Sequence, residues 1–340
     1  MLTAAVKALH ESQPGMFITD YVGHHGRLSD GNNLFEHNPY ITPFYEGPPH
    51  DVRKHVAAAQ YVMCDYGYGC NGAGRSFHFL YGFTEFLSRK LGVHIEMKDF
   101  KGDLYLEGED LEPWPGLPAT YAIIDAGHKA DVTAKLWSVY RYQEVVNATK
   151  DRIAWVQVGS AADTHAHLTG VHDLIGQTNL RQLIRVFRGA SLVLTPISLP
   201  MHLAAAVPMI GDGNKPAPAD VEKMHERYGQ KRGAAKGERG SPGDDPPACR
   251  KIRPCVVLAG QREQRQWELY PGHVMLGTDG KLSQCPVGVG DACWRNKTVK
   301  IDKDQSLCMS AMLDEQGKPM PECLHRVSVA EVVRAIERFL

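Results

Sequence analysis

The chain has 340 residues, of which 43% are hydrophobic and 23% are charged, and its formal net charge is -1 at pH 7. A chain longer than roughly 300 residues with an ordinary composition favours two folded domains. The near-neutral charge gives no indication of a surface for binding nucleic acid or membrane. No apolar run approaches the roughly 20 residues of a membrane span, and the N-terminus is a poor signal peptide. A cytoplasmic location is therefore the default expectation.

The first part of the chain alternates helical and strand patterns. It begins with an amphipathic helix that has Leu2, Ala5, Val6 and Leu9 on one face and ends at Pro14 and Gly15. The sequence then predicts strands at 16–22, 40–45, 59–64 and 103–107, a loop at 23–38 and a helix at 77–91. His78 of that helix is interpreted as a packing residue. A proline-dense run at 112–118 predicts a domain boundary that separates residues 1–117 from residues 118–340.

The second part of the chain repeats a strand followed by a helix. It has predicted strands at 121–126, 153–158, 191–195 and 254–259, and predicted helices at 140–149, 180–188, 201–207 and 328–340. This rhythm predicts an α/β fold with a parallel sheet and right-handed crossovers. Residues 213–253 interrupt the rhythm with glycine, proline and charged residues, and we interpret them as a flexible insertion.

Two predicted strand ends suit a phosphate-bearing ligand, because ligands of open α/β sheets bind at the carboxyl ends of the strands. Gly159 ends one strand and lets a ligand approach the backbone. Pro200 begins a helix whose first N–H groups attract an anion. His202 in that first turn and Lys135, after the first strand, could both contact phosphate oxygens. The alternative is a helix-start proline, a capping histidine and a solvated surface lysine.

Four segments in a fixed order carry a family resemblance. They are KLW at 135–137, VQVG at 156–159, LIGQTNLRQL at 174–183 and ISLPMHLAAA at 197–206. Together they resemble the C-terminal domain of glycosyltransferase family 9, the lipopolysaccharide heptosyltransferase family. The N-terminal half agrees more loosely, through its first helix and the Asn38-Pro39-Tyr40 segment.

The resemblance implies a GT-B fold, in which two Rossmann-like domains face a cleft. It implies inverting, metal-independent transfer of a sugar from a nucleotide-diphosphate donor, with ADP-heptose as the candidate donor, to a glycan or protein acceptor. The N-terminal domain would bind the acceptor, the C-terminal domain would bind the donor, and Lys135 would contact the donor diphosphate. The predicted donor-binding residues are Lys135, Gly159, Thr178, Ser198, Pro200, Met201 and His202.

The chain departs from the family pattern at the start of the phosphate-binding helix. Ile197 and Leu199 stand where the family has an aspartate and a glycine. A carboxylate that the family places near the sugar is therefore absent from this position. The departure supports an alternative function, in which the protein is a catalytically silent nucleotide- or sugar-binding protein on the same fold.

A second departure concerns the general base. The family chain begins one strand earlier, with a Gly-Asp turn that supplies the proposed base, whereas Met1 falls inside the first helix here. The first strand of the N-terminal domain is thus expected to be missing. Inverting transfer still needs a base for the acceptor hydroxyl. The candidates for this base are Asp20, at the end of a predicted strand, and His24 or His25 in the loop that follows. We predict that Asp20 or His25 is the base. The alternative is that Asp20 caps a turn and that the histidines are surface residues.

The third departure is a cysteine-rich tail. Cys285, Cys293, Cys308 and Cys323 lie within about 40 residues of a glycine-rich, strand-poor segment. Four thiolates in such a segment suit a tetrahedral zinc or iron site with a structural role. A similar tail occurs in the autotransporter heptosyltransferase branch, which carries an iron held by cysteines. The alternative is four unlinked, reduced cysteines.

Overall fold

The computed structural model describes residues 2–13, 22–24, 27–29, 34, 36–38, 40, 78–97, 100–128, 135–162, 164–210, 252–260, 265–278, 282 and 311–340. The chain divides into two compact units. The first contains the described residues up to Gly108, and the second contains those from Glu109 onwards. Within the described part of the chain, no helix is long and apolar enough to cross a membrane.

The first unit is built around two helices that pack on each other. It contains α1 (Leu2–Ser12), β1 (Val22–His24), β2 (Arg27–Ser29) and α2 (Phe79–Leu91). His78 caps α2, because its Nδ1 accepts a hydrogen bond of 3.2 Å from the Leu80 N–H. Its ring lies 4.5 Å from that of Phe100, as expected of a packing residue. α2 ends at Gly92, whose φ of 67° is readily adopted only by glycine.

Two predictions for the first unit are wrong. Strands β1 and β2 pair antiparallel inside the predicted loop at 23–38, with Val22 opposite Ser29. No strand forms at 103–107, because side chains of α1 hold this segment: the Asp103 N–H donates to Thr3 Oγ1 over 3.0 Å, and the Asp103 carboxylate pairs with Lys7. The predicted strand at 59–64, and most of those at 16–22 and 40–45, lie outside the described residues.

The second unit contains a six-stranded sheet. A short 3-10 helix (Gly108–Leu111) leads into it. The described strands of the second unit, six of which form this sheet, are β3 (Tyr121–Ile124), β4 (Gly127–His128), β5 (Ala154–Gln157), β6 (Thr164–His165), β7 (His172–Asp173), β8 (Leu192–Pro196), β9 (Cys255–Gly260), β10 (His273–Gly277), β11 (Ala311–Leu313) and β12 (Pro319–Pro321). Its helices are α3 (Val139–Thr149), α4 (Leu180–Gly189), α5 (Leu199–Ala206), α6 (Arg265–Glu268), α7 (Glu322–His325) and α8 (Val329–Glu337).

The strand order of the sheet is β10-β9-β8-β3-β5-β7, and all neighbours run parallel. When the six strands of the sheet are numbered along the chain beginning with β3, their order is that of the Rossmann fold. The chain builds outward from β3 through β5 to β7, and then returns to build β8, β9 and β10 on the other side. The predicted α/β fold with a parallel sheet is therefore confirmed.

The sheet forms because its central strands are apolar on both faces. Every residue of β3, β8 and β9 is buried, as expected of parallel strands covered by helices. Helices α3 and α8 pack on each other, and their apolar faces share one core cluster with these strands. α8 begins with a capping box between Ser328 and Glu331, where the sequence predicts one.

The proline-dense segment belongs to the second unit. Arg181 of α4 forms a buried pair with Asp110, with Nε 3.2 Å from Oδ1. Arg185, one turn further along α4, donates to the Glu112 carbonyl over 2.8 Å. These contacts explain why the second unit begins at Glu109, whereas the sequence places the domain boundary after residue 117.

The predicted insertion at 213–253 lies outside the described residues except at its end, where the prediction of flexibility is wrong. Arg253 is completely buried at 0% exposure. Its guanidinium donates to the carbonyls of Ala190, Val207 and Arg188 over 2.7, 3.3 and 3.2 Å. One side chain thus joins the ends of α4 and α5 to the start of β9.

Replacing Arg253 with alanine is expected to lower the free energy of unfolding by about 2–4 kcal/mol, because three buried carbonyls lose their donor. Urea unfolding followed by circular dichroism measures the loss. Arg253→Lys, which keeps the charge without the planar donor set, should lose less. Arg152→Ala removes an ion pair with Glu337 that is about half exposed, and should cost less than about 1 kcal/mol. An equal loss for Arg253→Ala and Arg152→Ala would contradict the bracing role.

Candidate functional site

The carboxyl ends of β3 and β8 meet at the point where the strand order reverses. In doubly wound sheets, this point opens a crevice in which ligands bind. Asp125 directly follows β3, and the turn from Pro196 to Leu199 joins β8 to α5. The two strands are neighbours, with Ile124 opposite Leu194. Asp125 and the β8–α5 turn therefore lie side by side at this edge of the sheet.

The Asp125 carboxylate ties the β8–α5 turn to the end of β3. Its Oδ2 lies 3.0 Å from Ser198 Oγ and 3.2 Å from Thr195 Oγ1, and these two hydroxyls lie 2.8 Å apart. Its Oδ1 accepts a hydrogen bond of 3.2 Å from the Gly127 N–H. We call Asp125, Thr195 and Ser198 the carboxylate cluster.

Burial dominates the electrostatics of this carboxylate. The Asp125 side chain is only 9% exposed, and this desolvation raises its pKa above the ordinary value. The charge of His165, whose Nδ1 lies 3.9 Å from Oδ1, acts in the opposite direction. The hydrogen bonds from Gly127, Ser198 and Thr195 also oppose the rise. The raised pKa shows that these groups only partly compensate the cost of burying the charge.

Lys135 lies beside the same turn. Its Nζ donates a hydrogen bond of 2.5 Å to the carbonyl oxygen of Ile197. Ser198 is the N-cap residue of α5, but its side chain makes no cap hydrogen bond, since it is engaged with Asp125. The structure thus brings together Lys135, Ser198 and the start of α5, where the N–H groups of a helix favour an anion.

The structure places other predicted donor residues in different surroundings. Pro200 is in the first turn of α5, and the side chain of Met201 is fully buried at 0% exposure. The Met201 N–H donates to the Ser198 carbonyl over 3.2 Å. His202 Nδ1 lies 3.0 Å from Tyr270 Oη. Thr178 precedes the N-cap residue Asn179 of α4, and no described hydrogen bond joins it to the carboxylate cluster.

Gly159 has a steric role that its position at a strand end does not reveal. A Cβ atom added to Gly159 would lie 2.4 Å from Cε1 of His165, and one added to Gly127 would lie 1.9 Å from the same atom. Both distances are shorter than real contacts. The His165 ring therefore lies against the backbone at the ends of β3 and β5, in a space that only glycine leaves open at both positions.

Sequence reasoning missed Asp125, Thr195 and His165. Asp125 carries a detectable signal, because it is a charged residue within the otherwise apolar run YAIIDAG. The position of Asp125 is also relevant to Ile197, which stands where the family has an aspartate. Ile197 is 3% exposed, and its backbone carbonyl accepts a hydrogen bond from Lys135. Position 197 has no carboxylate, but the neighbouring strand places one within hydrogen-bond distance of Ser198.

The predicted base and most of the predicted metal site lie outside the described residues. This applies to Asp20, His25, Cys285, Cys293 and Cys308. Cys323 is described: its thiol is partly exposed and lies near Gly260 at the end of β9. Among the described residues, no three histidine, cysteine, aspartate or glutamate side chains group in a way that could hold a metal ion. The four-cysteine site stays a prediction.

Residues 96–211, which contain β3 to α5, match the family model of glycosyltransferase family 9 (heptosyltransferase). The resemblance to glycosyltransferase family 9 is confirmed. The matched segment includes Asp125, Lys135 and the β8–α5 turn. Among curated proteins, no sequence matches this chain.

One solved structure of a glycosyltransferase resembles nearly the whole chain. The glycosyl transferase family 9 protein from Veillonella parvula is 13% identical, with a TM-score of 0.56 over 99% of this chain and 92% of that chain. At this identity the likeness shows the fold, and the predicted GT-B fold class is confirmed.

Two further structures have lower TM-scores. E. coli ADP-heptose LPS heptosyltransferase II is 12% identical, with a TM-score of 0.42 over 77% of this chain. The dodecameric iron-containing heptosyltransferase TibC in complex with ADP-D-β-D-heptose is 16% identical, with a TM-score of 0.46 over 83% of this chain. The chain spans 62% and 58% of the lengths of these two proteins, respectively.

Asp125→Asn is expected to change how stability depends on pH. Because the pKa of Asp125 is raised on folding, the contribution of this carboxyl to stability is greatest below its unfolded pKa and is lost as pH rises through its folded pKa. The free energy of unfolding of the wild type minus that of the variant should therefore fall as the pH rises above about 4, the ordinary pKa of an aspartate. Urea unfolding across this range measures the difference, and a rise with pH would contradict the assignment.

Gly159→Ala is expected to lower the free energy of unfolding by about 1–3 kcal/mol, because the new methyl group overlaps the His165 ring. The same change made in a His165→Ala background should cost less, since the ring is gone. A double-mutant cycle by urea unfolding measures this coupling. Additive losses would show that His165 does not occupy the space that Gly159 leaves open.

Proposed function

We propose that this protein is a glycosyltransferase that binds a nucleotide-diphosphate sugar at the carboxyl ends of β3 and β8. The observation that carries the proposal is the juxtaposition of Lys135 with the start of α5 at the switch point of a Rossmann sheet. It is supported by the family 9 match, which spans both features. The second unit would therefore hold the donor.

The chemistry follows from the charges at this turn. The donor diphosphate would lie at the start of α5, where the helix dipole adds partial positive charge. Lys135, which now donates to a neutral carbonyl, would supply a full positive charge. In the transfer step, the acceptor oxygen attacks the anomeric carbon and the bond to the diphosphate oxygen breaks. Negative charge then develops on the leaving diphosphate, where Lys135 and α5 would stabilise it.

The remaining steps involve residues beyond the described part of the chain. A base must take the proton of the acceptor hydroxyl, and Asp20 or His25 is proposed for this role. Inversion at the anomeric carbon, without a catalytic metal, is part of the proposal. A zinc or iron ion at the four cysteines would have a structural role.

The family description specifies heptosyltransferase, so ADP-heptose is the first donor to test. The proposed acceptor is a glycan or a protein. Thr178, Pro200, Met201 and His202 remain proposed donor contacts.

A catalytically silent nucleotide- or sugar-binding protein is the second candidate. The specific observation in its favour is Ile197, a buried apolar residue where the family has an aspartate. Both candidates share the donor site and differ in turnover. Release of ADP from ADP-heptose, with and without glycan and protein acceptors, separates them: binding without release under every condition would favour the silent protein.

Lys135→Ala is expected to weaken ADP binding by about 10- to 100-fold, because a hydrogen bond to a charged group contributes about 1.5–3 kcal/mol. Isothermal titration calorimetry of the full chain measures the dissociation constant. Lys150→Ala is the matched control, since Lys150 is an exposed lysine at the end of α3 and its loss should leave ADP affinity unchanged. Equal affinities for the wild type and Lys135→Ala would overturn the proposed placement of the diphosphate.

A further inference from the structure

The imidazole of His165 is buried without a hydrogen-bond partner. Its side chain is 5% exposed, and within the described part of the chain neither Nδ1 nor Nε2 has a partner. Buried polar groups are almost always hydrogen-bonded, and each exception calls for an explanation, such as a functional role or a bound water or ion. His165 is therefore a candidate for contact with a ligand.

The position of the ring is specified by residues from three strand ends. Gly127 follows β3 and pairs with His165 across the β4–β6 ribbon. Gly159 follows β5, and both glycines leave space only for the ring. Asp125 lies 3.9 Å from Nδ1, a distance that allows charge attraction but is too long for a hydrogen bond. Three chain segments thus hold the imidazole beside the carboxylate cluster.

The carboxylate cluster connects this ring to the proposed donor site. Asp125 Oδ2 accepts from Ser198, the N-cap residue of α5, while Oδ1 is the oxygen nearest to His165. The same carboxylate therefore contacts the turn at the start of α5 and attracts the imidazole. With Nδ1 on the Asp125 side, Nε2 is the nitrogen left to donate to another group. Imidazole N–H groups are effective donors to phosphate oxygens.

We propose that His165 contacts the diphosphate group of the donor through Nε2, with Asp125 orienting the ring. This inference rests on the proposed function and adds to it a binding residue that comes from β6 and lies apart from α5 in the sequence. It also explains why residues 127 and 159 are glycines, since a side chain at either position would overlap the His165 ring. The chemistry recognised is a diphosphate, whether free or as part of a nucleotide.

Two replacements of His165 distinguish contact with a ligand from a structural role. A glutamine amide nitrogen reaches about as far as Nε2 of histidine, whereas an asparagine amide nitrogen reaches only about as far as Nδ1. We expect His165→Asn to weaken binding of ADP and of inorganic pyrophosphate by about tenfold or more. His165→Gln should retain part of the affinity, and adenosine binding should be unchanged in both variants. His172→Ala, which removes an exposed histidine on β7, is the matched control.

Calorimetry with ADP, pyrophosphate and adenosine, together with a melting curve for each variant, distinguishes a ligand contact from a structural role. If the wild type binds neither ADP nor pyrophosphate, the proposed function fails. If the wild type binds them and His165→Asn binds them equally well, only the present inference is overturned. A lower melting temperature with unchanged ADP affinity would likewise assign His165 a structural role.

A second measurement avoids the risk that a variant does not fold. In wild-type protein labelled with ¹⁵N-histidine, the Nε2 resonance of His165 should shift on addition of pyrophosphate or ADP but not of adenosine. An Nε2 resonance that stays unchanged at saturating pyrophosphate would overturn the contact.

Discussion

The hydrogen bonds of the Asp125 carboxylate are the constraint on which the candidate site depends. Parallel strands place their carboxyl ends at one edge of a sheet, but they do not by themselves fix the turns that follow. Asp125 does this for β3 and β8, because its oxygens hold the backbone of Gly127 on one side and the hydroxyls of Thr195 and Ser198 on the other. The start of α5 is positioned by this cross-connection.

The arrangement has an energetic cost. A buried carboxylate loses its hydration, and its raised pKa shows that its hydrogen bonds do not fully offset that loss. Arg253, just before the start of β9, offers a contrast: it is also buried, and its guanidinium donates to three carbonyls. Arg253 stabilises the second unit, whereas the incompletely compensated polar groups, Asp125 and His165, occur together at the switch point. Clustering of such groups is a common property of functional sites.

The substitution at Ile197 changes how the turn is stabilised. An aspartate at this position would bring its own charge to the start of α5, whereas the isoleucine is buried and contributes only its carbonyl oxygen, which Lys135 contacts. The nearby negative charge comes from Asp125, on the adjacent strand. The turn thus keeps both a cation and a carboxylate close to the helix start, although the residues that provide them are separated in sequence.

The sequence by itself indicated strands β3, β5, β8 and β9, helices α3, α4, α5 and α8, and the resemblance to glycosyltransferase family 9. The apolar runs of β3, β8 and β9 are local signals, as are Pro200 at the start of α5 and the capping box at Ser328, and Lys135 was identified from its position after a strand. Only the tertiary structure showed that Gly127 and Gly159 enclose His165, that Arg253 is a buried brace, and that residues 110–114 contact α4. The physical reason is the same in each case. These roles arise from contacts between residues distant along the chain, and hydrophobic periodicity reports only on neighbours within one element.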